Sequence, residues 1–198
     1  MRIAARLAAL WTCVACGQVI EFESGGLRYL TLTRNGVTVM FAPMANPIRD
    51  YSMIQVAISN GSQKTWNFKP QDFRFLRSDG GTVPGLEARA VVSDFMQHGG
   101  RDDVVKLVTA YESGLYGMKT LKSTNGYEQR RQSVMAEVTS TRLKAAAAAS
   151  AIVLVPVRLK PGESTDGAVF FSTNGKGLGA GKLVVEAAGS SYEFVVSP

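Results

Sequence analysis

The residues best suited to metal chemistry surround the single histidine of this 198-residue chain. Met96-Gln97-His98 offers a thioether and an imidazole, both of which copper accepts, with Met44 and Met118 as further thioethers. No second histidine exists, however, and methionine more often fills a core than holds a metal. A periplasmic copper-binding protein is therefore a minor alternative, and we predict neither a metal site nor a cofactor.

Three carboxylates are the candidates for acid–base chemistry: Asp102, Asp103 and Glu112. Paired carboxylates can hydrolyse glycosidic bonds or hold a hard cation. Adjacent residues at a helix start diverge in direction, though, and the helix dipole alone favours acids there. Asp102 or Asp103 is therefore interpreted as a helix cap, and a carboxylate-based hydrolase is kept as the alternative function. We predict no catalytic residue.

A set of basic residues in the middle of the chain is the candidate surface for a partner. Between Asp94 and Ser150 the chain carries eight basic and six acidic residues, a small excess. Nucleic-acid binders usually show stronger clustering with stacking aromatics, so nucleic acid is not expected as a partner. The possible partner surface consists of Lys119, Lys122, Arg130, Arg131, Arg142 and Lys144.

The first 17 residues are typical of an export signal. Two arginines precede an apolar stretch of about nine residues, which is far shorter than a membrane span, and small residues follow it. The only two cysteines, Cys13 and Cys16, lie in this segment, so a chain cleaved before Gln18 has no thiol. Lipidation at Cys16 is the alternative to cleavage. We expect an exported protein of the periplasm or cell envelope.

After a predicted linker over residues 18–26, short apolar runs alternate with turn residues, a pattern typical of an all-β sandwich. Asn35-Gly36 tolerates the positive φ angles of a type I′ turn and predicts a hairpin. The predicted strands are Leu27–Thr33, Val37–Ala42, Tyr51–Ser59, Thr65–Phe68, Asp72–Arg77, Leu86–Val92, Ile152–Leu159, Ala168–Ser172, Lys182–Ala187 and Tyr192–Val196.

The pattern changes to a helical period after Asp94. Val104, Leu107, Val108, Tyr111 and Leu115 share one helical face. A second helix is predicted from Gly126 to Ala151, opened by a sequence that resembles a capping box. We therefore expect a helical insertion at about residues 94–150 within one domain spanning residues 27–198.

Two stretches resemble bacterial secreted immunoglobulin-like domains, which occur in exported proteins and lipoproteins of unknown function. The first runs from Val56 through Lys69-Pro70 to Gly80, and the second from Leu159 through Pro161-Gly162 to Phe171. The resemblance implies a mostly β, immunoglobulin-like antiparallel sandwich of seven to nine strands. It covers about half of the chain, leaves out the helical insertion, and specifies a scaffold and not an activity.

These observations favour a non-enzymatic, exported binding or accessory module of the bacterial cell envelope. The net charge is +6, which falls to +4 once Arg2 and Arg6 are removed with the signal, a mild bias. We expect the helical insertion to supply the surface for a partner, another envelope protein. Contact with the membrane is expected only through lipidation at Cys16, and the sequence does not indicate an oligomeric state.

Overall fold

The structure, a computed structural model, describes residues 17–117 and 140–197. The chain is mostly β, with antiparallel sheets and few helices. The strands of this region are β1 (Ile20–Ser24), β2 (Leu27–Arg34), β3 (Val37–Pro43), β4 (Tyr51–Asn60), β5 (Trp66–Phe68), β6 (Phe73–Arg77), β7 (Thr82–Pro84), β8 (Val157–Leu159), β9 (Ser164–Ser172), β10 (Gly181–Ala187) and β11 (Ser190–Val196). Its helices are α1 (Ala88–His98), α2 (Arg101–Gly117) and α3 (Thr141–Ile152).

The first sheet has five strands in the order β1-β2-β3-β4-β9. Hairpin β2–β3 turns at Asn35-Gly36, whose φ angles of 50° and 77° confirm the predicted positive-φ turn. Central strand β4 is buried along nearly its whole length, which requires cover on both faces of the sheet. Its side chains alternate, so Ile54 and Val56 face one core while Met53 faces another.

The second sheet has the order β11-β10-β6-β7 and faces the first across the main hydrophobic core. Aromatic rings from the two sheets meet there edge to face. The ring centroids of Phe41 and Phe194 are 5.0 Å apart, and those of Phe75 and Phe171 are 6.5 Å apart. Such pairs add about 0.5–1.5 kcal/mol beyond the burial of their area, and they join the two sheets directly.

Strands β5 and β8 form a separate two-stranded ribbon. Its inner side chains, Phe68 and Leu159, are fully buried in the main core, and Trp66 packs against them. Asn67 and Arg158 lie opposite each other in the register and are exposed on the outer face. The ribbon is thus fixed to the core by alternate residues.

The helices cover the outer face of the five-stranded sheet. A second core joins buried residues of all three helices to Met53 of β4 and Phe170 of β9. In α3 the run Ala145–Ala149 is buried, and these small side chains allow both α1 and α2 to pack closely against α3. None of the helices in the described residues has the length and apolar character needed to cross a membrane.

The predicted linker over residues 18–26 is wrong, because β1 occupies most of it. Ile20 to Ser24 pair with Thr31 to Leu27 of β2, and the connecting Gly25-Gly26 has φ angles of 60° and 76°. Positive φ at both central residues is what a tight two-residue hairpin turn requires, and glycine adopts it without a steric penalty.

Two of the predicted strands are also wrong, the first over most of its length and the second before Val157. Leu86–Val92 lies mostly in α1, so the helical region begins at Ala88, before the predicted boundary at Asp94. Ile152–Leu159 begins with the last residue of α3 and becomes a strand only at Val157, directly after Pro156. The helix predicted from the periodicity of Val104 to Leu115 is confirmed as α2, which begins at Arg101. Of the second predicted helix, only α3 falls within the residues that the structure describes.

Candidate functional site

Helix α1 is held on the sheet by an aromatic cluster. Phe95 is fully buried, and its ring centroid lies 6.0 Å from that of Tyr51 and 6.4 Å from that of Phe170. Val91, one turn earlier on the same face, is also fully buried. Burying a phenylalanine contributes about 2–3 kcal/mol, so this contact fixes the position of the polar residues next to it.

Arg49 is the centre of a polar cluster where α1 ends and α2 begins. It lies in the two-residue turn between Ile48 and Tyr51, whose backbone groups form two hydrogen bonds of 2.8 and 3.0 Å. Its φ angle is 53°, which a non-glycine residue seldom adopts and which costs about 1 kcal/mol or more. The turn therefore holds the Arg49 side chain in a strained but defined position.

The Arg49 guanidinium joins both helices. Its Nη1 donates to the carbonyl oxygen of His98 at 2.7 Å and lies 3.6 Å from Oδ2 of Asp103. Its Nε lies 3.6 Å from Oδ2 of Asp94. These two longer distances are those of ion pairs and not of hydrogen bonds. We call Arg49, Tyr51, Asp94, His98 and Asp103 the junction cluster.

Asp94 also contacts His98 and Tyr51. The Nδ1 of His98 lies 2.9 Å from Oδ1 of Asp94, four residues earlier on α1. Burial, together with the hydrogen bond to Asp94, raises the pKa of Tyr51 to about 12. Tyr51 therefore remains a protonated hydrogen-bond donor at physiological pH, and Asp94 accepts from it.

Asp103 has a structural role in the junction cluster. Its Oδ2 accepts the backbone N–H of Gly100 at 2.8 Å, so Asp103, the third residue of α2, bonds back to the residue before the helix as the acid of a capping box does, and is not itself the predicted N-cap. Asp102 and Glu112 are exposed. Glu112 follows Asp103 by nine residues, or two and a half helical turns, so the two carboxylates point in opposite directions. The structure does not bring the three candidate acids together.

The junction cluster can orient a histidine, but it lacks the other parts of a catalytic triad. The His98 side chain is 57% exposed, which leaves one edge of the imidazole open to solvent. Among the described residues no serine, threonine or cysteine side chain hydrogen-bonds to it. Asp94 and His98 are four residues apart on α1, so their contact lies within that helix, and the described residues place no nucleophile beside it.

The proposed copper ligands are not brought together. Met96 and His98 are two positions apart on α1, so their side chains leave the helix about 200° apart. Met44 lies beside α2 in a different groove, and Met118 is outside the described residues. Across residues 17–117 and 140–197 no group of three or more His, Cys, Asp or Glu side chains is placed to hold a metal ion.

A groove runs along the outer side of α1. Its helical wall consists of two rows with four-residue spacing, Ala88, Val92 and Met96 beside Arg89, Ser93 and Gln97. The facing wall is Ser150, Val153 and Val155, and the volume is about 420 Å³. We call this the α1 groove. Its exposed lining is mainly apolar, and Met96 is 41% exposed.

Of the six basic residues predicted as a partner surface, two can be placed. Arg142 and Lys144 are exposed at the start of α3, with Leu143 between them 42% exposed. Lys119, Lys122, Arg130 and Arg131 lie outside the described residues, as do Cys16 and the predicted signal. The sequence analysis missed Arg49 and the α1 groove. The Asp94–His98 spacing of four residues was a visible signal, but no local pattern pointed to Arg49.

Comparison with known proteins identifies no family. No family model matches the chain, and no curated protein matches it. Among solved structures, the yjhA protein from Bacillus subtilis is similar with a TM-score of 0.36 and 10% identity, over 90% of this chain and 95% of that chain. At this level the likeness carries no argument about family or function.

Proposed function

We propose that this protein is a non-enzymatic binding or accessory module of the bacterial cell envelope. In this proposal an immunoglobulin-like β-sandwich is the scaffold, and the helical layer carries the surface for a protein partner. Residues 1–17 direct export, with lipidation at Cys16 as the alternative to cleavage. Two facing sheets that share one core support the sandwich, and the charge pattern of the first 17 residues supports export.

The α1 groove is the observation that carries the binding proposal. Ala88, Val92 and Met96 form a continuous apolar strip along it, four residues apart. Met96 is exposed, whereas Ala88 and Val92 are half-buried and pack partly against the core beneath the helices. An exposed apolar side chain beside an apolar concavity is typical of a protein contact site. Arg89 and Gln97 border the strip and can supply polar contacts at its rim.

The carboxylates give less support to the alternative, a hydrolase. Asp103 is occupied by the Gly100 N–H and by Arg49, and Asp94 by His98, Tyr51 and Arg49. A general acid or base has to be accessible to a substrate, whereas the carboxylates of Asp94 and Asp103 already hold α1 and α2 through Arg49. Binding is therefore the function that the geometry favours.

Site-specific photocrosslinking tests the proposal. Deleting the helices would uncover Met53 and Phe170, so single substitutions are the sound choice. A photoreactive amino acid placed at Met96, in the full chain in its own cells, is expected to capture one defined envelope protein. The matched position is Val195, which is 69% exposed on the opposite sheet and is expected to capture none.

The substitution Met96→Glu tests the α1 groove a second time, through the affinity for the captured protein. A charge in an apolar contact costs about 2 kcal/mol or more, so affinity for the captured protein should fall at least about 30-fold. Val195→Glu should leave it unchanged. Equal capture from Met96 and Val195, or full affinity in Met96→Glu, would show that the α1 groove is not the binding surface.

A further inference from the structure

A cleft lies on the outer face of the β5–β8 ribbon. Its volume is about 500 Å³. Asn67, Lys69 and Asp72 line one side, and Pro156 and Arg158 line the other. Because Phe68 and Leu159 anchor the inner face in the core, the outer side chains are carried on a backbone that has little freedom to move.

Two cations and an amide converge on this cleft. Asn67 lies directly opposite Arg158, and Lys69, two residues after Asn67, is on the same side of the chain. Side chains directly opposite on two strands have Cβ atoms about 5 Å apart, and diagonal neighbours about 7 Å. Their donor groups can therefore reach a single small anion.

In the described chain neither Lys69 nor Arg158 has a carboxylate oxygen at ion-pair distance, although burial, which raises the pKa of Asp72, is partly offset by the nearby charge of Lys69. Cations of the neighbouring sheet are paired. Arg74 pairs with Glu186 at 3.2 Å, and Lys182 pairs with Glu193 at 2.8 Å. The acid nearest to the cleft, Asp72, accepts the backbone N–H of Lys69 at 2.9 Å instead of a side-chain cation.

We propose that this cleft binds a phosphate group through Arg158, Lys69 and Asn67. A guanidinium presents two parallel N–H groups that match two phosphate oxygens, the ammonium adds a second positive charge, and the amide donates to a third oxygen. The carboxylate of Asp72 opposes the anion. Burial raises the pKa of Asp72, which reduces that opposition as the pH falls towards the acidic range.

Titration of the full chain with inorganic phosphate, followed by ¹H–¹⁵N NMR at constant ionic strength, tests the site. We expect the largest shifts at the amides of Asn67 and Arg158. Arg158→Gln should weaken binding about tenfold or more, since it removes a charge-assisted pair of hydrogen bonds. Asp72→Asn should strengthen it, because the change removes the opposing charge and keeps an oxygen for the Lys69 N–H.

The control is Lys176→Gln, an exposed lysine in the loop between β9 and β10 whose loss changes the net charge by the same amount. It is expected to bind phosphate like the unchanged chain. Equal weakening by Lys176→Gln and Arg158→Gln would mean that net charge alone attracts the anion, and would overturn the proposal. So would the absence of shifts at the ribbon.

Vesicle sedimentation then distinguishes the sources of the phosphate. If phosphatidylglycerol vesicles bind the chain, phosphatidylcholine vesicles do not, and free phosphate competes, the group belongs to a lipid head. If the chain responds to free phosphate and binds neither vesicle, the group belongs to a soluble or polymeric phosphate ester. Both results support the site, and they differ only in the molecule that brings the phosphate.

Discussion

Arg49 connects three segments that are distant in the chain: the turn before β4, the end of α1 and the start of α2. Its guanidinium lies 3.6 Å from a carboxylate oxygen of Asp94 and 3.6 Å from one of Asp103, so one cation serves both acids. The side chain is 27% exposed, so solvent screens these contacts only in part. A partly buried cation between two acids is worth more than a pair at the surface.

Replacing Arg49 with methionine is therefore expected to destabilise the protein by about 1–3 kcal/mol, because two acids lose their shared partner. Urea denaturation with far-ultraviolet circular dichroism measures the loss. Arg74→Met is the matched control, since Arg74 forms an exposed pair with Glu186 and should cost about 0–1 kcal/mol. Equal losses in the two variants would show that Arg49 is only another surface charge.

The residues of the junction cluster differ in how far the sequence could predict them. The contact of Asp103 with Gly100 spans three residues, so the sequence could place an acid at the start of α2, although it did not distinguish Asp102 from Asp103. The role of Arg49 depends on a sequence separation of about fifty residues, which no local period or spacing encodes. The α1 groove was missed for a related reason, because its second wall comes from the end of α3 and the residues after it, more than fifty positions away in the chain from α1.

At the scale of elements, α1 and α3 approach each other closely at Gly99. A Cβ atom added to Gly99 would lie 2.5 Å from the Cβ of Ala145 and 2.3 Å from the carbonyl oxygen of Phe95. The φ angle of Gly99 is −64°, so the need for glycine comes from this contact and not from backbone conformation. Glycine and alanine together let the two helices touch.

We expect Gly99→Ala to destabilise the protein by about 1–3 kcal/mol, because the added methyl group forces α1 and α3 apart. The next residue supplies the control. A Cβ at Gly100 would meet only Oδ2 of Asp103, at an ordinary 3.6 Å, so Gly100→Ala should change stability little. Thermal unfolding of both variants tests the prediction, and similar melting temperatures would contradict it.

Most β elements were predictable because alternation and turn residues mark them locally. Leu27–Thr33, Val37–Ala42 and Tyr51–Ser59 differ from the observed strands by a residue or so at their ends. Leu86–Val92 failed because its apolar residues also suit a helix, and packing of Val91 and Phe95 on the sheet decides between the two. Strand β1 was missed because residues 18–26 were assigned to a linker, although Gly25-Gly26 suits a hairpin turn.

Over the whole molecule, the five-stranded sheet belongs to two hydrophobic cores at once. Strands β4 and β9 send Val56 and Phe171 into the main core, and Met53 and Phe170 into the core beneath the helices. Unfolding of this sheet would therefore disrupt the packing of both cores. The described part of the chain should therefore unfold as one cooperative unit.

The expected result is a single transition with the same midpoint by two probes. In a chain that starts at Gln18, Trp66 is the only tryptophan, and it packs against the main core. Its fluorescence should change at the same urea concentration as the ellipticity at about 222 nm, which reports mainly the helices. An earlier loss of ellipticity would mean that the helical layer unfolds by itself.

The two ends of β4 lie beside different parts of the molecule, Gly17 at one end and the junction cluster at the other. Gly17 lies against Thr33, near the hairpin turn Asn35-Gly36, and so beside the Asn60 end of β4. The junction cluster lies at the Tyr51 end. A strand of ten residues spans about 33 Å at 3.3 Å per residue. If Cys16 were lipidated, as in the proposed alternative to cleavage, Arg49 and His98 would lie at the end of β4 opposite to the lipid attachment, up to about one strand length from it.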